Sequence, residues 1–141
     1  MNPAIPCLPC LPDRQAAGRE HIEEAKRYLS NAREILKSKG GNGAPGYYSD
    51  AKYVKMACHT AWCGVLVAMD TKIPQLPKGK RKTVDTYKQY LATRNRKALN
   101  DFVEAYNHLH LFGGYDGTLI RKTIHTGIQL AQNIINWCEK N

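Results

Sequence analysis

No stretch of the 141 residues reads as a glycine-rich phosphate loop followed by Gly-Lys-Ser/Thr, none alternates apolar and polar residues over a useful length, and no internal repeat is present. The common nucleotide-binding signature and any sheet of consequence are therefore not expected. Acidic residues are scarce, with 12 Asp and Glu against 21 Lys and Arg, which leaves a formal charge of +9. That surplus favours encounter with anionic partners such as RNA, nucleotides or acidic proteins. Cysteine is sparse and odd in number: Cys7, Cys10, Cys58, Cys63 and Cys138. Three of these fall inside predicted helices, where a thiol packs as a small hydrophobe, so a reduced cytoplasmic protein is expected. Apolar runs are short as well. The longest surrounds Trp62, includes His59 and falls below the roughly twenty residues that cross a bilayer, so no membrane span is expected.

Residues 1–12 contain four prolines among Leu and Cys and read as an extended, flexible arm that makes a poor signal peptide. Cys7-Leu-Pro-Cys10 lacks two further ligands at suitable spacing, so neither a metal nor another cofactor is expected. Residues 13–141 then form one domain, long enough to bury a core without staples.

What the domain does contain is helical periodicity. The stretch from Tyr48 to Asp70 is apolar nearly all round from Met56 onward and predicts a buried helix. Before it, Ile22, Ala25, Leu29, Ala32 and Leu36 mark one face of a helix over 13–38. On the opposite face Glu23 and Arg27 attract at four-residue spacing, whereas Arg33 and Lys37 repel. The segment 40–46 has four glycines and a proline and must be a loop. Ser49 or Asp50 can cap the second helix and Thr83 the third. Val84, Leu91, Ala98, Phe102, Ala105 and Leu109 trace a third buried face up to Gly113-Gly114, with the polar Asn95 as its anomaly. Asp116 or Thr118 can cap a last helix carrying Ile120, Ile124, Gly127, Ala131, Ile134 and Cys138. The expected fold is an all-α, antiparallel up-down four-helix bundle with the second helix enclosed.

Two places could carry chemistry. The basic residues Lys78, Lys80, Arg81 and Lys82, continued by Arg94 and Arg96, could neutralise phosphates without reading sequence, or could be a solvated loop that keeps the protein soluble. At the junction of the last two helices, Arg121 and His125 share a face, with His110, Tyr115 and Asp116 as neighbours in the same region. An arginine that holds a phosphate and a histidine that moves a proton are the parts a metal-independent ribonuclease uses. The plainer reading is that helix-end histidines serve the helix dipole and Arg121 is merely exposed. Cys58 and His59 point about 100° apart on their helix and make no nucleophile–base pair.

The helices His21-Ile-Glu-Glu-Ala-Lys-Arg-Tyr-Leu-Ser-Asn-Ala-Arg-Glu-Ile-Leu36 and Tyr48-Ser-Asp-Ala-Lys-Tyr-Val-Lys-Met-Ala-Cys-His-Thr-Ala-Trp62 resemble the first two helices of HEPN-type bundles. They also resemble a small uncharacterised bacterial helical family of the same general shape. The resemblance spans residues 20–138 and implies an HEPN-like fold and, in catalytic members, an Arg, four to six residues, then a His. Arg121-Lys-Thr-Ile-His125 has three between, one short of that pattern. A non-catalytic binding or interaction module follows, for RNA, a nucleotide or a protein partner, with a homodimer through exposed Tyr and Trp as a further expectation. The toxin-like HEPN ribonuclease using Arg121 and His125 is the alternative.

Overall fold

The computed structural model describes residues 14–73 and 76–141, with side chains from residue 18 onward. The proline-rich arm, with Cys7 and Cys10, lies outside the described residues. Within them the chain is all-helical, with five α-helices and no strand.

Helix α1 (Arg14–Lys39) buries the stripe read from the sequence: Ile22, Ala25, Leu29, Ala32 and Leu36 are each at most 5% exposed. Helix α2 (Ala51–Asp70) packs along it in the most extensive helix–helix contact of the fold. The Asp50 carboxylate accepts from the Lys52 amide and starts α2, which settles the choice between Ser49 and Asp50. Val54, Ala57, Cys58, Ala61, Trp62, Val65, Ala68 and Met69 are all buried, but the helix is not enclosed all round, since Met56 is 46% exposed and His59 faces outward.

The third expected helix is two. Helix α3 (Val84–Ala92) opens with a capping box between Thr83 and Thr86. The chain then turns at Thr93–Asn95, and helix α4 (Arg96–Ala105) begins with Asn95 as its N-cap, its side-chain oxygen accepting from the Ala98 amide at 2.9 Å. A polar residue on a core stripe is here an exposed helix cap, so the chain has a corner where an unbroken helix was expected.

Gly113-Gly114 does not break the chain either. Residues Tyr106–Tyr115 continue α4 as a π-helix, whose last turn is closed by the Asp116 amide donating to the Leu111 carbonyl at 2.8 Å and the Thr118 amide to that of Phe112 at 2.9 Å. The glycines are there for closeness: a Cβ at Gly113 would lie 2.8 Å from the Cβ of Cys58, so the absent side chain is what lets α2 approach.

Helix α5 (Arg121–Lys140) buries Ile124, Gly127, Ile128, Ala131, Ile134, Ile135 and Cys138 against α2 and α4. Its N-cap is Ile120, without a side-chain bond, where Asp116 or Thr118 was expected. The backbone of the glycine-rich loop closes that end: the Tyr48 amide donates to the Leu119 carbonyl at 2.8 Å and the Arg121 amide to that of Gly46 at 3.0 Å, around an antiparallel bridge between Tyr47 and Ile120. Gly46 has φ +86°, a conformation that glycine enters at little cost. No described helix is long and apolar enough to cross a membrane.

Candidate functional site

Arg121 and His125 meet on Tyr48. The Arg121 guanidinium lies 4.0 Å from the Tyr48 ring centroid, and the Tyr48 hydroxyl shares a 2.7 Å hydrogen bond with His125 Nε2. The guanidinium also donates from Nε to the Tyr47 carbonyl at 3.2 Å and from Nη2 to the Gly41 carbonyl and the Asn42 side chain, both at 2.9 Å. Three of its bonds therefore hold the 40–49 loop against the start of α5. Burial pushes the Tyr48 phenol above its ordinary pKa, and the adjacent Arg121 offsets part of that rise. The site is a clamp, with the arginine committed to structure.

His110, Tyr115 and Asp116 are placed elsewhere. Among the described residues no hydrogen bond, ion pair or ring contact joins them to Arg121 or His125. His110 is half-buried, stacked on Tyr106 at 5.0 Å and facing His59 and Trp62, and its Nδ1 is buried without a hydrogen-bond partner. Burial first, and the neighbouring His59 second, hold its pKa below the usual histidine value. Tyr115 is 79% exposed, and Asp116 caps the π-helix through its backbone. The expected face of exposed tryptophan is also missing: Trp62 is 4% exposed and Trp137 packs against the core.

The basic stretch divides. Lys82 donates to the Asp70 carboxylate at 3.1 Å and to the Ile73 carbonyl at 3.3 Å, and the same carboxylate oxygen accepts from the Tyr87 hydroxyl at 2.7 Å. Lys82 thus ties the loop to the end of α2. Lys78, Lys80 and Arg81 are exposed and form no ion pair among the described residues. They precede α3, and Arg94 and Arg96 follow it. In nine residues α3 rises about 13 Å, so exposed cations lie at both ends of a helix of that length. Aromatic rings are interleaved: Arg94 lies over Tyr90 at 5.0 Å and Lys88 over Tyr106 at 5.9 Å.

The thiols are chemically quiet. Burial pushes Cys58 and Cys138 up to about 12 and raises Cys63 as well, so none is a ready thiolate. No group of three or more His, Cys, Asp or Glu among the described residues could hold a metal ion.

Sequence reasoning missed Tyr48 as the meeting point, because its partner is 77 residues away and no periodicity reports such a pair. It also missed a cavity of about 350 Å³ beside the clamp, lined by Arg33, Leu36, Lys37, Tyr48, His125, Ile128 and Gln129. The repulsive Arg33–Lys37 spacing was the available signal.

A family model described as "Domain of unknown function (DUF5618)" matches residues 20–140. The chain is also similar to a solved structure, a protein of unknown function from Dyadobacter fermentans, at 49% identity and a TM-score of 0.82, over 87% of this chain and 97% of that one. No curated protein matches.

Proposed function

The chain belongs to the DUF5618 family, and we propose that it is an HEPN-like, non-catalytic binding module whose ligand is single-stranded nucleic acid, RNA in the first instance. The observation that carries this reading is the set of exposed cations bracketing α3, with Lys78, Lys80 and Arg81 before it and Arg94 and Arg96 after it. Phosphates spaced along a flexible strand suit cations at both ends of the helix, and the half-buried Tyr90 ring with Arg94 over it adds an aromatic surface beside them. The +9 charge adds long-range attraction. The ribonuclease alternative draws less support, because Arg121 gives Nε and Nη2 to Tyr47, Gly41 and Asn42 and lies over the Tyr48 ring, which fixes it in the loop contact.

Anisotropy titrations of a fluorescent single-stranded RNA test the module. Affinity is expected to fall with salt, and Lys80→Gln/Arg81→Gln to weaken binding and flatten the log–log salt slope by about 0.7 for each phosphate that the variant no longer neutralises. Affinity that is indifferent to salt, or equal in the double variant, would overturn the assignment. Cleavage of the RNA by the wild type, lost in His125→Ala, would shift the reading to the ribonuclease.

A further inference from the structure

The cavity between α1 and α5 is built differently from its neighbours. Arg33 and Lys37 are four apart on α1 and so stand side by side, a like-charge pair that costs an isolated helix a little stability. Across from them His125 and Gln129, also four apart, come from α5, with the Tyr48 hydroxyl at one end. Leu36 and Ile128, both buried, supply apolar wall. No carboxylate lines the cavity. The larger cavity, about 650 Å³ near the end of α5, instead sets Glu23 and Glu139 among Arg19 and Lys72 and so balances its charges internally.

Arg33 donates to the Gln132 side chain at 3.3 Å through one terminal nitrogen, and Lys37 makes no ion pair among the described residues. The arrangement thus holds two cations around one space, beside the mutually bonded Tyr48 hydroxyl and His125 Nε2 and the Gln129 amide, whose nitrogen donates to Asn133 at 3.0 Å, with apolar surface beneath them. A volume of about 350 Å³ falls in the range of small-ligand sites, which are characteristically apolar with a few convergent polar groups.

We propose that this cavity binds a small organophosphate of mononucleotide size, a site independent of the cations bracketing α3. Its phosphate monoester lies between Arg33 and Lys37, where a charge near −2 matches the two cations; a carboxylate would leave one unmatched. The phosphate relieves the repulsion built into α1. The flat organic part lies on Leu36 and Ile128, within reach of the Tyr48 and His125 polar atoms.

Calorimetric titration of the full chain with adenosine monophosphate, adenosine and inorganic phosphate tests the site. Saturable binding of the monophosphate tighter than about 1 mM is expected, with adenosine and inorganic phosphate each weaker by about tenfold or more. Arg33→Gln and Lys37→Gln, both on exposed positions and neutral to the fold, should each weaken the monophosphate by about tenfold. Lys80→Gln/Arg81→Gln should leave it unchanged, which separates this cavity from the cations bracketing α3. No saturable binding, equal affinity for inorganic phosphate, or equal affinity in Lys37→Gln would overturn the proposal. So would loss of monophosphate binding in the Lys80/Arg81 variant, whatever becomes of RNA binding there.

Discussion

Arg121 shows how a side chain can look catalytic in sequence and be structural in space. Its position four before His125 places both on one face of α5, as the spacing dictates. What the spacing cannot give is the loop 80 residues earlier that supplies a carbonyl acceptor from Gly41. Replacing it with alanine removes three hydrogen bonds and a cation–ring contact from a partly exposed position, and a loss of about 2 kcal/mol is expected. Arg121→Lys should recover less than half of that, because an ammonium on a flexible stem cannot reproduce the planar fork. Denaturant midpoints measure both, and an unchanged Arg121→Ala midpoint would refute the clamp. The same residue limits what could be foreseen of the site: Arg121 and His125 are adjacent as read, whereas Tyr48 beneath them is legible only as the start of an apolar stretch.

At the scale of elements, the buried stripes were legible almost residue by residue, because a one-sided helix announces its core face through its period. The ends were less so. Thr83 could be read as a cap, since a hydroxyl before an apolar-periodic run is a local signal. Asn95 carried the same signal, but the apolar steps on either side of it carried on across the turn and masked the corner. Asn95→Ala is expected to cost about 1 kcal/mol by leaving the Ala98 amide without its acceptor, with the loss confined to the α3–α4 turn. Thermal unfolding together with amide exchange at residues 96–98 would show it, and a midpoint equal to the wild type would argue against the cap. Gly113-Gly114 misled in the opposite sense. Paired glycines usually stop a helix, yet here contact with Cys58 requires Gly113 inside a π-helical turn, a tertiary demand with no local trace, while at Gly114 a Cβ would meet the Leu109 carbonyl of the same turn at 2.8 Å.

The whole molecule is held by a core that contains no buried charged side chain among its described residues. Its buried titratable groups are instead Cys58 and Cys138, at 0% and 2% exposure, with pKa values pushed from 9.0 to about 12, together with the phenols of Tyr48 and Tyr87, which burial also raises. The folded state therefore keeps protons that the unfolded chain releases above pH 9. Stability from this source is fully present below pH 9 and is lost as pH rises toward 12, by about 1.4 kcal/mol per pH unit for each thiol. Urea unfolding between pH 8 and 10.5 should show the decline, and a Cys138→Ala variant should show a shallower one. Equal slopes in the two proteins would mean that the thiols do not govern alkaline unfolding.

The glycine-rich loop at 40–49 has the composition of a tether, but its Tyr48 amide and Gly46 carbonyl are bonded across the fold to Leu119 and Arg121, while Gly43, Tyr47 and Ser49 donate within the loop. The Tyr48 and Arg121 amides therefore exchange only when the start of α5 parts from the loop. Tyr48 is thus shared by the loop and the cavity between α1 and α5, so an occupant of that cavity would slow exchange at the Tyr48 amide as well as on the two helices.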